Sequence, residues 1–270
     1  MTLDRDASDF VIIDSTARAM ADAARAAILP YFRARGLVQD NKLADGFDPV
    51  TEADRAAEKA MRAVLERHRP DDAVLGEEFG ASSGTSGLTW VLDPIDGTRG
   101  FVSGTPTWGV LIAVSDAAGP FYGLIDQPYI GERFVGSGAR AELTGPAGVA
   151  EIVTRTTSDL AEAVVFTTFP EVGTPAEAAA FRAVAERAKL TRYGMDCYAY
   201  ALVAAGQVDL VIEAGLQAYD IQAPIALIEA AGGVVTNWEG EPAHEGGRAI
   251  AAANPELHAK ALAVLRDALG

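Results

Sequence analysis

The pattern of apolar and polar positions divides the chain into two parts with different periodicity. In the first part, apolar residues recur at helical spacing over 8–29 and 51–69, which predicts two helices, the first ended or kinked by Pro30. Residues 42–49, KLADGFDP, read as a loop. Short apolar runs predict five strands, the last three forming an antiparallel meander: 73–78, 89–93, 108–114, 120–126 and 132–136.

In the second part, apolar runs of strand length alternate with segments of helical spacing, which is the pattern of an α/β fold. The predicted strands are 163–169, 190–193, 209–213, 233–238 and 249–253. The predicted helices are 175–189, 196–206, 219–231 and 254–268. The segment 141–149, AELTGPAGV, lies between the two parts and is the best candidate for a boundary, which divides the chain into 1–142 and 143–270.

Composition and charge exclude several classes of protein. The chain has 270 residues with a net charge of −16, and nucleic acid is therefore not an expected partner, because binding to phosphates needs a basic face. The N-terminus is acidic, and no apolar run approaches the ~20 residues of a membrane span, so we predict a cytoplasmic protein without a membrane partner. The single cysteine, Cys197, rules out an intrachain disulfide bond.

Acidic residues collect where predicted strands end and helices begin. Asp93 and Asp96 end one apolar run, Glu77 ends another, Asp220 opens a helix, and Asp54 lies at the start of the second helix. If the strands are neighbours, these carboxylates converge at one sheet edge, where they need a cation among them. A ligand set made only of oxygen selects Mg²⁺ or Mn²⁺ rather than zinc.

The residues after Asp96 suggest what such a metal would act on. Gly97-Thr98 predicts the start of a short helix, whose backbone N–H groups and dipole favour an anion. Metal ions beside an anion site point to the hydrolysis of a phosphate ester.

Each acid also has a purely structural interpretation. Asp54 fits a capping box in the sequence Thr51-Glu-Ala-Asp, Asp220 fits a helix N-cap, and the Glu77-Glu78 pair fits the solvation of a loop. A single turn uses only one acid, so the Asp-x-x-Asp pair at 93 and 96 is harder to explain by structure alone.

Four motifs in order resemble the inositol monophosphatase superfamily of metal-dependent, lithium-sensitive phosphatases, over roughly residues 40–240. They are TEAD at 51–54, GEE at 76–78, WVLDPIDGT at 90–98, and Glu213 with the later Tyr219-Asp220. The resemblance implies a five-layer αβαβα sugar-phosphatase fold of the mixed α/β class. It also implies two subdomains, the first, 1–142, carrying most metal ligands and the second, 143–270, completing the site.

The resemblance also implies roles for individual residues. About two or three Mg²⁺ per subunit, replaceable by Mn²⁺, would be held by Glu77, Asp93, the carbonyl of Ile95, Asp96 and Asp220. The attacking water would be activated by Thr98, supported by Asp54 and Glu77, without a phosphoenzyme. Substrate would contact Asp96, Gly97, Thr98, Asp196, Glu213 and Asp220, with the phosphate on the N–H groups of Gly97 and Thr98. Family members are commonly homodimers.

Three further segments are similar to the histidinol-phosphatase branch: 97–114, GLIDQP at 123–128 and YGMDCYAY at 193–200. Met195 stands where that branch would have a small residue, and Arg99 replaces the commoner lysine. This branch implies L-histidinol phosphate as substrate and histidine biosynthesis as its setting. Asp196 and Glu213 would then bind the substrate's amine, although Asp196 also fits a helix N-cap.

Other functions remain open at the level of sequence. Inositol 1-phosphate is an alternative substrate, and 3′-phosphoadenosine 5′-phosphate is another, although its two phosphates favour a basic patch that this acidic chain does not show. Haloacid-dehalogenase phosphatases need Asp-x-Asp near the N-terminus, whereas the acidic pair here is Asp-x-x-Asp and lies at Asp93 and Asp96. A non-catalytic scaffold on the same fold is the remaining alternative, although every expected ligand position is occupied.

Overall fold

The computed structural model describes residues 7–35, 39–41 and 49–270, and the predicted loop at 42–49 lies outside the described residues except for its last position. The helices of this described part are α1 (Ala7–Ile28), α2 (Glu52–His68), α3 (Thr98–Ser103), α4 (Pro175–Ala185), α5 (Asp196–Ala204), α6 (Ala218–Ala230) and α7 (Pro255–Leu269). Among them, none is long and apolar enough to cross a membrane.

The strands of the first half are β1 (Gln39–Asn41), β2 (Pro49–Thr51), β3 (Ala73–Gly76), β4 (Gly80–Ser82), β5 (Thr89–Asp96), β6 (Gly109–Asp116), β7 (Gly119–Gln127), β8 (Glu132–Ser137), β9 (Arg140–Gly145) and β10 (Gly148–Glu151). Those of the second half are β11 (Val164–Thr167), β12 (Leu190–Tyr193), β13 (Leu210–Gln217), β14 (Val234–Thr236) and β15 (Gly246–Ala252). Every strand predicted from the sequence is present, with ends that move by a few residues.

An eight-stranded sheet carries the first half in the order β10-β9-β8-β7-β6-β5-β3-β4. The predicted meander is confirmed, since β6, β7 and β8 pair antiparallel in sequence order. In contrast, β3 and β5 pair in parallel, with Gly76 opposite Leu92. Their carboxyl ends therefore lie side by side, which places Glu77 next to Asp93.

The segment suggested as a boundary, 141–149, forms a hairpin instead. Strands β9 and β10 pair antiparallel around Pro146-Ala147, with Gly145 opposite Gly148, and extend the eight-stranded sheet. A Gly-Pro pair serves a tight turn as readily as a linker, and Gly148 has the positive φ of 107° that such a turn needs. The proposed division after residue 142 would cut β9, and the chain changes sheet only between Glu151 and Val164.

A five-stranded sheet carries the second half in the order β12-β11-β13-β15-β14. Its strand β11 is parallel to both β12 and β13, as the strand–helix alternation predicts, while β15 runs antiparallel to its neighbours. The parallel register pairs Phe166 with Val211, which brings Thr168, just after β11, beside Glu213 within β13.

The two sheets and their helices form five layers. Helices α1 and α2 cover one face of the eight-stranded sheet, α5 and α6 lie between the two sheets, and α4 and α7 cover the outer face of the five-stranded sheet. Three apolar clusters fill the four spaces between successive layers, since one cluster packs on both faces of the α5 and α6 layer. The predicted αβαβα architecture is thus confirmed.

A buried ion-pair cluster fastens α1 to the sheet. Asp126 of β7 is completely buried, and its Oδ1 accepts hydrogen bonds from Arg25 Nη2 at 2.8 Å and Arg133 Nε at 2.7 Å. Arg25 belongs to α1 and Arg133 to β8, so one carboxylate joins three elements. A buried charge of this kind is tolerated only because both cations stay in place.

We expect Asp126→Ala to lower the free energy of unfolding by ~3–5 kcal/mol, because two guanidinium groups lose their buried partner. Chemical denaturation followed by circular dichroism measures this change. As a control, Glu162→Gln breaks the exposed pair with Lys189 and should change stability by less than ~1 kcal/mol. Equal effects of the two substitutions would contradict an anchoring role for Asp126.

Candidate active site

The acidic cluster begins where β3 and β5 end side by side. Between Asp93 and Asp96 the pairing of β5 with β6 shifts register, and such a bulge re-aims side chains. Asp93 is buried, and its Oδ1 accepts the N–H of Ile95 at 3.0 Å inside this bulge. The irregular end of β5 is thus what lets both aspartates of the Asp-x-x-Asp pair face the same space.

Helix α6 supplies the third carboxylate. Among the described residues, Asp93, Asp96 and Asp220 each offer an oxygen such that all three atoms lie within 4.8 Å of one another. The structural interpretation of Asp220 as a helix N-cap is wrong. The N-cap is Gln217, and Asp220 is the third helical residue, whose Oδ2 accepts the Gln217 N–H at 2.6 Å. Capping therefore fixes Asp220 at the cluster.

The electrostatics of the cluster are unfavourable without a cation. Burial raises the pKa of Asp93 well above its usual value, and the charges of Glu77, Asp96 and Asp220 raise it further. Burial and the charges of Asp220 and Asp196 likewise raise the pKa of Asp96, partly offset by a hydrogen bond from Cys197. That bond, from the Cys197 N–H to Asp96 Oδ2, is 2.6 Å long. Carboxylates in this state fit a divalent cation, because it would stabilise their ionised forms.

Asp54 caps α2 and also contacts Thr98. Its Oδ2 accepts hydrogen bonds from the N–H and the hydroxyl of Thr51 at 2.8 and 2.6 Å, which completes a capping box. Its Oδ1 lies 3.5 Å from Thr98 Oγ1, while Thr98 donates more closely to the Ile95 carbonyl at 3.0 Å. The structural interpretation and the functional one are therefore compatible. Burial raises the pKa of Asp54 to about 6.

The starts of α3 and α5 pack against each other on the far side of the cluster. Gly97 has a φ of 82°, and a Cβ there would lie 2.8 Å from the Asp196 Cγ, so a side chain fits neither the backbone nor the space. Asp196 itself has a φ of 46° and accepts a hydrogen bond from the Thr107 hydroxyl at 3.2 Å. The N-cap position belongs to Met195, so Asp196 is not a cap.

Glu213 lies in the middle of β13, where the pairing with β15 shifts register. Its Oε1 accepts the N–H and the hydroxyl of Thr168 at 2.7 and 2.9 Å, and its Oε2 accepts the hydroxyl of Thr167 at 3.3 Å. Burial raises the pKa of Glu213 to about 7, and the charge of Asp196 contributes to the rise. The two carboxylates are thus close enough to interact, in a setting that would favour a cationic group.

A cleft of about 400 Å³ joins these parts. It is lined by nine of the ten residues singled out from the sequence: Glu77, Asp93, Ile95, Asp96, Gly97, Thr98, Asp196, Glu213 and Asp220. The tenth, Asp54, lies behind Thr98. The neighbouring residues Glu77 and Glu78 differ in position. Glu77 lines the cleft, whereas Glu78 does not, and a carboxylate oxygen of Glu78 lies 4.0 Å from Arg55 Nε.

Sequence reasoning missed several lining residues. Cys197 is buried, lines the cleft and donates its backbone N–H to Asp96. Tyr200 lines the cleft with a buried hydroxyl for which the described part of the chain provides no hydrogen-bond partner. Phe169 also lines the cleft, and its ring centre lies 4.9 Å from the guanidinium carbon of Arg99 in α3. The sequence placed Phe169 at the end of the predicted strand 163–169, but β11 ends at Thr167 and Phe169 lies in the loop after it.

Comparison with known proteins agrees with this fold. The family model of the inositol monophosphatase family matches residues 12–269. A bifunctional phosphatase of Arabidopsis thaliana, IMPL2, is 42% identical over 83% of this chain, and the match covers 63% of the plant protein. A histidinol-phosphatase of Streptomyces coelicolor is 35% identical over 93% of this chain and 96% of its own length. An inositol monophosphatase structure from Zymomonas mobilis superimposes with a TM-score of 0.84 at 37% identity, covering 97% of this chain and 100% of that one.

Fold and cleft together define a phosphatase of the mixed α/β class with an acidic site that could bind metal. The chain belongs to the inositol monophosphatase family. The individual roles assigned to the lining residues from the sequence stay predictions.

We expect Asp54→Ala to lower both stability and turnover, because it removes one half of the α2 capping box and one of the two acceptors near the Thr98 hydroxyl. The cap is worth ~0.5–2 kcal/mol and general-base assistance ~10²–10⁴-fold. Asn254→Ala is the control, since Asn254 caps α7 through the Leu257 N–H and lines no part of the cleft. Denaturation and phosphate release are measured on both variants. Equal retention of turnover in the two would leave Asp54 with a capping role only.

Proposed function

We propose that this protein is a phosphomonoester hydrolase that depends on a divalent metal ion, and that L-histidinol phosphate is its substrate. Asp93, Asp96 and Asp220 would hold the metal, with Glu77 and the carbonyl of Ile95 as further ligands. The observation that carries the proposal is the group of three carboxylates within 4.8 Å, next to a cleft of about 400 Å³.

The donor set fits Mg²⁺ or Mn²⁺. Its donors are oxygen atoms, and hard cations of this kind prefer oxygen ligands. A bound cation would supply positive charge for phosphate oxygens and would lower the pKa of a water molecule in the cleft. Arg99 is the only basic side chain among the described residues that line the cleft, so most of the charge needed to balance a phosphate must come from metal.

Thr98 and Asp54 would handle the proton of the attacking water. A threonine hydroxyl has one proton, and in the structure the Ile95 carbonyl is its nearer acceptor. If the Ile95 carbonyl is engaged as a ligand, the hydroxyl proton of Thr98 turns toward Asp54 Oδ1, and Thr98 Oγ1 is then oriented to accept from water. The N–H groups of Gly97 and Thr98, at the start of α3, would hold the phosphate.

Asp196 and Glu213 support a cationic substrate. Both are carboxylates in the cleft but outside the group of three that forms the candidate metal site. Histidinol phosphate carries an amine, so its charge would offset the repulsion between them, whereas a neutral polyol would not. The similarity to the Streptomyces coelicolor histidinol-phosphatase supports the same choice. A homodimeric state, a cytoplasmic location and a place in histidine biosynthesis remain predictions from the resemblance.

Inositol 1-phosphate is the second candidate substrate. The observation that favours it is the similarity to the inositol monophosphatase from Zymomonas mobilis. The two candidates differ in the charge of the group beyond the phosphate, so substitutions that remove charge from Asp196 or Glu213 distinguish them.

Metal dependence is tested by phosphate release and by thermal unfolding. EDTA should abolish turnover, and Mg²⁺ or Mn²⁺ should restore it. Mg²⁺ should also raise the Tm, since binding at about 100 times the Kd stabilises a protein by about 2.7 kcal/mol. Asp96→Asn should not lower the Tm of the metal-free protein, because it removes a repelling charge, but it should lose most of the response to Mg²⁺. Full turnover in excess EDTA, or no phosphate release with any metal, would contradict the proposal.

Substrate choice is tested by removing one charge at a time. Asp196→Asn should lower kcat/KM for histidinol phosphate by the equivalent of ~2–5 kcal/mol, the usual cost of losing a buried charge contact. It should leave p-nitrophenyl phosphate, which has no amine, nearly unaffected, and Glu213→Gln should behave in the same way. Asp159→Asn is the charge-matched control, since Asp159 caps a short 3-10 helix away from the cleft.

The outcomes separate the two substrates. Unchanged turnover of histidinol phosphate by Asp196→Asn and Glu213→Gln would show that the amine is bound elsewhere. A wild-type protein that prefers inositol 1-phosphate in a panel with histidinol phosphate, 3′-phosphoadenosine 5′-phosphate and fructose 1,6-bisphosphate would overturn the substrate but keep the metal-dependent phosphatase.

A further inference from the structure

A completely buried carboxylate on α2 lies behind the cleft and has no part in the proposed chemistry. Glu58 follows Asp54 by one helical turn, so both residues lie on the same face of α2. A buried carboxylate is costly unless its oxygens accept hydrogen bonds. The partners of Glu58 therefore indicate what the residue does.

Those partners lie in the tight turn that joins β3 to β4. Glu58 Oε2 accepts the backbone N–H of Glu78 at 2.6 Å, and Glu58 Oε1 accepts the N–H of Phe79 at 3.3 Å. The residue before these two is Glu77, which lines the cleft. One carboxylate thus binds the two successive N–H groups that directly follow a predicted metal ligand.

Arg62 completes the arrangement from the next turn of α2. Its Nε donates to Glu58 Oε1 at 2.7 Å, and its Nη2 donates to the Gly80 carbonyl at 2.5 Å. The hairpin turn is therefore bound at both ends, through the N–H groups of Glu78 and Phe79 and through the carbonyl of Gly80.

Gly76 allows this close approach. A Cβ at Gly76 would lie 2.0 Å from Glu58 Oε1 and 2.8 Å from Arg62 Nη2. Contacts under about 3.0 Å require the neighbour to move. Any side chain at Gly76 would therefore push the carboxylate off the turn, which provides a second way to disturb the same contact without altering Glu58.

We propose that Glu58 is a positioning residue, which holds the turn at 77–79 so that the Glu77 carboxylate faces Asp93 and the metal. The inference rests on the proposed metal site. One turn earlier on the same face of α2, Asp54 contacts Thr98. Helix α2 thus supports the cleft at two points: Glu58 holds the turn of the predicted metal ligand Glu77, and Asp54 lies beside the residue predicted to orient the attacking water.

An amide cannot replace this carboxylate. Glu58 accepts from three donors through two oxygens, whereas a glutamine has one accepting oxygen and an NH₂ group that only donates. In Glu58→Gln, the side-chain NH₂ group would face either a backbone N–H or the Arg62 guanidinium, and neither of these groups can accept a hydrogen bond. The turn should then shift, and Glu77 should shift with it.

The test compares metal binding in Glu58→Gln, Gly76→Ala and a matched control, Asp209→Asn. Asp209 is also completely buried and accepts a backbone N–H, that of Val164 at 2.8 Å, together with an Arg155 guanidinium at 3.0 Å. It directly precedes β13, four residues before Glu213, and does not line the cleft. Its loss should cost stability without reaching the cleft.

Titration calorimetry with Mn²⁺ alone gives the affinity, and the rise of the Tm with Mg²⁺ gives an independent measure. Loss of a residue that orients a metal ligand typically weakens metal binding ~10–100-fold. We expect this weakening in Glu58→Gln and Gly76→Ala, with a wild-type Mn²⁺ affinity in Asp209→Asn.

Wild-type affinity in a folded Glu58→Gln would overturn the inference, as would equal weakening in Asp209→Asn, which would indicate a general loss of stability. If Glu58→Gln does not fold, wild-type affinity in Gly76→Ala overturns the inference and weaker binding supports it. A wild-type protein that binds no Mn²⁺ overturns the metal site itself, and with it this role of Glu58. A failure of the metal site is seen with the wild-type protein alone, whereas a failure of the role of Glu58 is seen only when the variants are compared with it.

Discussion

The mutual repulsion of Asp93, Asp96 and Asp220 is the constraint on which the rest of the site depends. Asp93 is buried and Asp96 and Asp220 are partly buried, so it is costly for all three to be ionised with their oxygens within 4.8 Å of one another unless a cation lies among them. The fold nevertheless holds them together, by means of a strand bulge and a capped helix. Repulsion among the three carboxylates lowers the stability of the metal-free protein, and a divalent cation bound between them would relieve that repulsion.

Structural roles and proposed chemical roles coincide in two of these acids. Asp54 and Asp220 both stand third in a helix and accept the N–H of the N-cap residue, so each helix start fixes one carboxylate in place. For Asp54, the second oxygen faces Thr98. The capping contact of each residue is therefore compatible with the site role predicted from the sequence, which stays a prediction. Preorganisation of this kind costs nothing extra, because the helix needs its cap in any case.

The sequence predicted most of the fold because the apolar periodicity is regular and the strand ends carry a specific acidic pattern. The alternation after residue 163 was sufficient to predict β11 to β15 and their helices. The β9–β10 hairpin was missed because Gly145-Pro146 reads equally well as a turn or a linker. Glu58 was missed for another reason: within an amphipathic helix, one more glutamate gives no sign of being buried until the β3–β4 turn is placed above it.

The most direct test of the central claim is a crystal structure of the protein grown with Mn²⁺, with anomalous diffraction measured to locate the metal. The account predicts an anomalous peak between Asp93, Asp96 and Asp220, with the Glu77 carboxylate directed toward it. No peak at these three carboxylates, or Mn²⁺ bound only elsewhere in the molecule, would contradict it.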